Sequence, residues 1–262
     1  MPHPLSNTQG FLIDLDGTLY QDDAPIPGAV LAVETLRERG YPVRFVTNTT
    51  SRCRASLSSR LGRLGIEARP GEILSPPYAA ARYLTDRAVT RAYLLIPEDA
   101  RREFEGIAHT HRNVEAVVVG DLGDAWSFGK INRAFRLVLT GAELIALGRS
   151  RYWRAPDGLR LDAGPFVAAL EFATGRQARV LGKPAPAFFQ IALDDLGLPA
   201  ERVAMVGDDV ETDVAAAQQA SLTGVLVQTG KFQPEDLERD AQPDLVIPSI
   251  AHLARQLGDP SP

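Results

Sequence analysis

The sequence predicts an α/β protein built on a doubly wound parallel sheet. Short apolar, strand-like runs alternate along the chain with segments whose apolar residues recur at helical spacing. The core strands are expected at 11–14, 43–47, 203–206 and 224–227, with a weaker strand at 244–247. Helices are expected at 28–39, 52–64, 186–196 and 210–220. This alternation is typical of a parallel sheet covered by helices.

The middle of the chain carries its own strands and helices. Strand-like runs occur at 92–96, 116–119, 144–146 and 151–154, with helical segments at 97–104, 130–139 and 164–174. Proline and glycine punctuation at 75–77 and 181–184 indicates two crossings between modules. We therefore expect a catalytic core from residues 1–78 and 181–262, with a second α/β domain inserted at 79–180.

Composition excludes several classes of function. The 262 residues have a net charge of −5 and scattered arginines, which argues against binding nucleic acid. No apolar run approaches the length of a membrane-spanning helix. Cys53 is the single cysteine, and the first residues lack the pattern of an export signal. We expect a cytoplasmic protein that binds neither nucleic acid nor a membrane.

The segment Asp-Leu-Asp-Gly-Thr at 14–18 follows the first strand. Residues i and i+2 of a strand point the same way, so Asp14 and Asp16 can share a cleft. Gly17 permits a sharp turn after them. The alternative interpretation is an ordinary strand end followed by an Asx turn.

Polar residues also end two other predicted core strands. Thr47 and Asn48 follow one strand, and Asp208 and Asp209 follow another. Each pair could simply cap the next helix. The carboxyl ends of parallel strands meet at one edge of a doubly wound sheet, however, and that edge is where such folds bind ligands.

These residue types fit phosphoryl transfer. Asp14 can attack phosphorus, and Asp16 can donate and later accept a proton. Lys183, one of only three lysines, supplies positive charge, and Thr47 and Asn48 offer hydrogen-bond donors to phosphoryl oxygens. Facing carboxylates require a cation, and oxygen ligands beside a phosphate favour Mg²⁺.

Four segments, in order, resemble the motifs of the haloacid dehalogenase (HAD) superfamily. They are 14–18, Val-Thr-Asn at 46–48, Gly-Lys-Pro at 182–184 and Gly-Asp-Asp-Val-Glu-Thr-Asp at 207–213. The large insert after the second motif resembles the NagD-type branch (subfamily IIA), in particular the group around haloacid dehalogenase-like hydrolase domain-containing protein 2 and phospholysine phosphohistidine inorganic pyrophosphate phosphatase. The resemblance implies a Rossmann-like core with a C2-type α/β cap.

The resemblance also implies a role for each matching residue. Asp14 would be the nucleophile and a Mg²⁺ ligand, Asp16 the acid/base and a ligand through its backbone carbonyl, and Asp208 the third ligand. Thr47, Asn48 and Lys183 would hold the phosphoryl group. Asp213 and Asp209 would orient metal-bound water without binding the ion themselves, and a helix-capping role for Asp209 stays equally open.

The expected function is a Mg²⁺-dependent phosphatase that hydrolyses a small phosphorylated metabolite, a phosphomonoester or a pyrophosphate or phosphoramidate, through an aspartyl-phosphate. The alternatives are a 2-haloacid dehalogenase, a phosphomutase, or a binding protein with weak turnover on the same fold. The resemblance further implies a homodimer formed through the cap. The cap segment 149–154 departs from the branch's usual Asn-Pro-Asp-like pattern. We expect it to be a strand with its arginines outward and its rings packed, and the alternative is a basic and aromatic cluster that faces the phosphoryl site and binds an anionic or ring-bearing leaving group.

Overall fold

A computed structural model describes residues 3–155 and 157–257 of the chain, with the backbone alone at Arg154. Its strands, in chain order, are β1 (Gly10–Asp14), β2 (Tyr20–Gln21), β3 (Ala24–Pro25), β4 (Val43–Val46), β5 (Ile73–Leu74), β6 (Arg91–Leu95), β7 (Ala108–His109), β8 (Ala116–Val119), β9 (Glu143–Ala146), β10 (Tyr152–Ala155), β11 (Gly158–Leu161), β12 (Arg179–Val180), β13 (Val203–Gly207), β14 (Thr223–Val227) and β15 (Leu245–Ile247).

The α-helices separate most of these strands. They are α1 (Ala29–Glu38), α2 (Arg54–Arg63), α3 (Pro76–Asp86), α4 (Glu98–Arg101), α5 (Phe128–Leu139), α6 (Ala163–Thr174), α7 (Pro186–Leu196), α8 (Ala216–Gln219) and α9 (Leu253–Gln256). A π-helical segment, Val210–Ala215, precedes α8. Among the described residues, no helix combines the length and apolar character needed to cross a bilayer.

The chain divides into two compact units. The first contains the described residues of Met1–Thr47, Leu57–Leu74 and Lys183–Pro262, and the second contains Asn48–Ser56 and Ser75–Gly182. The first unit has a six-stranded sheet in the order β15-β14-β13-β1-β4-β5, and every pairing in it is parallel. This arrangement confirms the predicted doubly wound α/β class.

Strand β1 lies at the centre of the first sheet and is buried throughout. Phe11 and Ile13 belong to a core cluster that also contains Leu36 of α1, whereas Val210 and Val214 pack with Leu226 in a separate cluster. Burial on both faces accounts for the nearly continuous apolar sequence of these strands. The chain continues from β1 to β4 on one side and returns through β13 on the other, so the carboxyl end of β1 lies at the topological switch point.

The second unit has its own parallel sheet, in the order β12-β9-β8-β6-β7, and an antiparallel hairpin formed by β10 and β11. Its core cluster includes Val117, Val119 and Leu144 from the sheet and Val138 from α5. The second unit is therefore an α/β structure with a core of its own.

The expectation for residues 149–154 is only partly correct. Tyr152–Ala155 is a strand, as expected, but the rings of Tyr152 and Trp153 are not packed, because these residues are 58% and 41% exposed. Arg149 forms a two-pronged ion pair with Glu171 of α6. The side chain of Arg154 lies outside the described residues. Within the described residues, β10 and β11 form a separate two-stranded sheet, and the side chains of Tyr152 and Trp153 project from its faces into solvent.

Two helical segments add to or differ from the expectation. The predicted crossing at 75–77 coincides with the division between the units after Leu74, and Pro76 and Pro77 also begin α3, because proline is well tolerated in the first turn of a helix. The segment predicted as one helix at 210–220 starts as a π-helix, in which the Asp209 carbonyl accepts from the N–H groups of both Asp213 and Val214. The resulting wider turn lies directly after the polar end of β13.

Candidate active site

The site begins at the turn that follows β1. Gly17 has a φ of 82°, which favours glycine, and its N–H donates to the Tyr20 carbonyl at 2.7 Å. Asp14 is buried, whereas Asp16 keeps an exposed surface. The Tyr20 hydroxyl donates to Asp16 Oδ2 at 3.0 Å. The turn therefore separates the surroundings of the two aspartates that the sequence places two residues apart.

Lys183 extends its ammonium group into the buried part of this site. Its Nζ donates to Asp14 Oδ1 at 2.5 Å and to Asp213 Oδ1 at 2.6 Å. All three side chains are almost wholly buried. Burial alone would lower the pKa of Lys183, but the two carboxylates raise it above its usual value, so the ammonium stays charged.

Three carboxylates face one another here, and two of them pair with this ammonium. One oxygen from each of Asp14, Asp208 and Asp213 lies within 4.8 Å of the others. Burial raises the pKa of Asp208 to about 7, with the charge of Asp14 adding to the shift, and burial raises the pKa of Asp213 to about 6 against the effect of Lys183. One ammonium leaves the cluster with excess negative charge. A divalent cation with oxygen ligands, such as Mg²⁺, fits this donor set.

Two glycines and a backbone amide fix Asp208. The N–H of Lys231 donates to Asp208 Oδ2 at 2.7 Å, and the Thr229 hydroxyl donates to the Gly17 carbonyl at 2.5 Å. A Cβ atom on either Gly17 or Gly230 would lie 2.0 Å from Asp208 Oδ2. We call residues 229–231 the clamp loop, because it holds the turn after β1 against the aspartate that follows β13.

Asp209 serves the helix start rather than the carboxylate cluster. Its side chain accepts from the N–H groups of Glu211 at 3.1 Å and Thr212 at 3.0 Å, and it pairs with Lys231 Nζ at 3.3 Å. Burial would raise the pKa of Asp209, but these donors hold it below its usual value. The Asp209 N–H in turn donates to Asp213 Oδ2 at 3.2 Å. The Asp209 side chain therefore caps the start of the helical segment, as the capping alternative predicted. The Asp209 backbone N–H helps orient Asp213.

The two remaining predicted residues fall in different units. Thr47 is buried directly after β4, next to β1 in the sheet, and its N–H donates to the Leu74 carbonyl at 3.1 Å. Asn48 belongs to the second unit. The phosphoryl contacts expected of Thr47 and Asn48 stay predictions.

Sequence reasoning missed Tyr20 and the clamp loop as parts of this site. Tyr20 reads as an ordinary apolar residue after a turn, and nothing in its spacing indicates a contact with Asp16. The signal at Lys231 was its rarity, since it is one of three lysines in the chain. Its backbone N–H, however, makes the contact to Asp208, and backbone contacts do not depend on residue type.

Comparison with known proteins identifies the family. Residues 11–109 match the family model for haloacid dehalogenase-like hydrolases, and residues 180–253 match the HAD-hydrolase-like model. The chain is 42% identical over 242 residues, 92% of each chain, to haloacid dehalogenase-like hydrolase domain-containing protein 2 of Bos taurus. It is 40% identical over 238 residues to human phospholysine phosphohistidine inorganic pyrophosphate phosphatase, covering 88% of this chain and 87% of the relative.

Solved structures agree with this assignment. The 4-nitrophenylphosphatase of Thermotoga maritima superposes with a TM-score of 0.90 at 31% identity, over 97% of this chain and 98% of its own. NagD from E. coli superposes with a TM-score of 0.87 at 26% identity, over 94% of this chain and 98% of its own.

The parallel sheet, the carboxylates and lysine at its switch point, and these relatives together define a hydrolase that acts on phosphate esters. The chain belongs to the haloacid dehalogenase-like hydrolases, within the NagD-like branch of that superfamily. The resemblance seen in its four motifs is thereby confirmed.

The clamp loop gives a first prediction. Gly230→Ala should lower the rate of 4-nitrophenyl phosphate hydrolysis by about 100-fold, because the new methyl group must displace Asp208 or Gly17 by an ångström or more. Gly197→Ala is the matched control, since Gly197 has nearly the same φ (68° against 63°) but open space around it. The control should lose about 1 kcal/mol of stability and no activity. Equal activities in the two variants would contradict the role of the clamp loop in holding Asp208.

Proposed function

We propose that this protein is a Mg²⁺-dependent phosphatase that hydrolyses a small phosphorylated metabolite through an aspartyl-phosphate on Asp14. One observation carries the proposal: a buried lysine pairs with the aspartate that ends β1, beside two further carboxylates with raised pKa values. Such a site offers a nucleophile, a fixed positive charge and oxygen ligands for a cation at one edge of the sheet.

The chain's own side chains account for each proton and charge. An oxygen of Asp14 attacks phosphorus while Lys183 neutralises charge on the attacking carboxylate and on the phosphoryl oxygens. Asp16, at the exposed side of the turn, donates a proton to the leaving oxygen. It then takes a proton from the water that attacks the aspartyl-phosphate, which releases inorganic phosphate and restores Asp14. Thr47 and Asn48 donate hydrogen bonds to the phosphoryl oxygens in this proposal.

Asp14 and Asp208 would hold the metal ion through their side chains, and Asp16 through its backbone carbonyl. Asp213 lies close enough to join them, but its Oδ1 already accepts from Lys183 and its Oδ2 from the Asp209 N–H, which favours an indirect role. When bound, Mg²⁺ supplies positive charge between the carboxylates and the phosphoryl group.

The names of the relatives support the choice of substrates. One is a 4-nitrophenylphosphatase and another is a phosphatase of phospholysine, phosphohistidine and inorganic pyrophosphate. We therefore propose a phosphomonoester, a pyrophosphate or a phosphoramidate as the substrate class. All three present a terminal phosphoryl group to the same site and differ only in the leaving group.

Replacing the nucleophile is the direct test of this function. Asp14→Asn should lower kcat for 4-nitrophenyl phosphate by at least about 10⁴-fold, because an amide cannot form the covalent intermediate. The fold should persist, since the amide oxygen can still accept from Lys183. The matched control is Asp86→Asn at the exposed end of α3, which should keep full activity. Turnover that survives in Asp14→Asn would refute the mechanism.

Metal dependence gives a separate prediction. Enzyme stripped with EDTA and transferred to metal-free buffer should be inactive, and Mg²⁺ should restore it. Asp208→Asn should raise the Mg²⁺ concentration for half-maximal activity by about 10-fold or more, because it removes a ligand charge. The same titration of Asp86→Asn should match the wild type. Full activity in EDTA would exclude the proposed role of the metal.

We also propose a homodimer formed through the inserted α/β cap. Tyr152, Leu159 and Leu161 share one face of the β10–β11 hairpin by its register, and each is between 58% and 62% exposed. The same unit also exposes apolar side chains on its helices, including Phe172 of α6 at 93% and Phe128 of α5 at 81%. Clustered exposed apolar side chains of this kind favour a protein interface.

The oligomeric state can be tested with one pair of variants. Sedimentation velocity should show a dimer for the wild type and a monomer for Leu161→Arg, because the new charge would be desolvated in the interface. Leu31→Arg is the control, since Leu31 is 66% exposed on α1 of the first unit. It should stay dimeric. A wild-type protein that sediments as a monomer at micromolar concentration would contradict the proposal.

A further inference from the structure

Tyr20 is a fully buried tyrosine whose hydroxyl reaches one oxygen of Asp16. The hydroxyl donates to Asp16 Oδ2 at 3.0 Å, and the ring is 0% exposed. The backbone holds the same two segments together, since Gly17 donates to the Tyr20 carbonyl at 2.7 Å. A buried ring with a fixed backbone has little freedom to move its hydroxyl away from Asp16.

Arg60 of α2 fixes the ring from another direction. Its guanidinium carbon lies 4.5 Å from the centre of the Tyr20 ring, within the range of a cation–π contact. The guanidinium also donates to the Asp22 carbonyl at 2.7 Å, which anchors it to the chain just beyond β2. The order of contacts is thus Arg60, the ring of Tyr20, and the carboxyl group of Asp16.

The direction of the hydrogen bond follows from the chemistry of the two groups. A tyrosine hydroxyl carries its proton at neutral pH, so Tyr20 is the donor in its contact with the carboxyl group of Asp16. Asp16 Oδ2 is therefore an acceptor in this contact. The two oxygens of Asp16 are no longer equivalent, and a transferable proton belongs on Oδ1.

We propose that Tyr20 is the positioning residue for the acid/base Asp16, holding Oδ2 so that Oδ1 delivers the proton to the leaving group. The inference rests on the proposed phosphatase function and deepens it. As an oxygen of Asp14 bonds to phosphorus, the bond from phosphorus to the leaving oxygen breaks. Its electron pair stays on that oxygen, which takes the proton from Asp16 Oδ1.

The dependence on leaving group distinguishes this role from a structural one. A 4-nitrophenolate leaves without much help, whereas an alkoxide requires a proton as the bond to phosphorus breaks. Tyr20→Phe keeps the ring and the Arg60 contact and removes only the hydroxyl. It should lower kcat/KM for an alkyl phosphate such as glycerol 3-phosphate by about 10- to 100-fold, and for 4-nitrophenyl phosphate by less than about 3-fold.

Two controls make the experiment decisive. Tyr41→Phe removes a second tyrosine hydroxyl from the first unit, where the ring contacts Phe11 at the opposite end of β1, and should leave both substrates unaffected. In an Asp16→Asn background, Tyr20→Phe should cause no additional selective loss, because Tyr20 acts through Asp16. An equal loss on both substrates, no loss on either, or a selective loss that persists in the Asp16→Asn background would overturn the inference. The proposed function would fail separately, through activity retained by Asp14→Asn.

Discussion

The Lys183 ammonium lies out of contact with bulk solvent and is held by two carboxylates, Asp14 and Asp213, at 2.5 Å and 2.6 Å. A buried charge without a partner is very costly, so the Lys183 ammonium requires a carboxylate partner to stay buried, and it has two. The pairing also fixes which oxygen of Asp14 is occupied and which is left for chemistry. The fold of the first unit brings these charges from separate parts of the chain to one place.

The fold brings four distant parts of the chain to this point. Asp14 ends β1, Lys183 follows the second unit, Asp213 lies in the π-helical turn after β13, and the clamp loop follows β14. A doubly wound parallel sheet aligns the carboxyl ends of its strands, so residues far apart in sequence meet at the switch point. The wide turn at Val210–Ala215 lets Asp213 face back toward Lys183 while Asp209 caps the same segment.

The excess of carboxylates explains why a lysine alone does not complete the site. Asp208 keeps a raised pKa even with the Lys231 N–H donating to it, because burial disfavours its charge and because Asp14 and Asp213 repel that charge. A phosphate dianion would meet the same repulsion. A cation that binds between the carboxylates and the phosphoryl group would reduce the repulsion among the carboxylates and the repulsion between them and the phosphate. The electrostatics of the protein and the proposed reaction therefore both require a bound cation.

Much of the fold was predictable from sequence, because burial and periodicity are local signals. The strand ends that carry Asp14, Thr47 and Asp208 could be predicted, since polar residues interrupt apolar runs at those positions. The start of α3 and the exposed rings of the β10–β11 hairpin could not, because proline marks both turns and helix starts and exposure depends on tertiary neighbours. The contact from Tyr20 to Asp16 and the backbone contact from Lys231 to Asp208 arise only when the turn and the clamp loop are folded.

In the proposed mechanism, Asp14 carries the phosphoryl group between the two half-reactions. The experiment that tests this step is to acid-quench the Asp16→Asn variant during turnover of 4-nitrophenyl phosphate and to analyse its peptides by mass spectrometry. This leaving group needs little proton transfer, whereas attack by water needs the missing base, so the intermediate should accumulate. We expect a phosphoryl group on the peptide that contains Asp14, and specifically on that side chain. Release of nitrophenol with no phosphoryl group on Asp14, or with one on another residue, would contradict it.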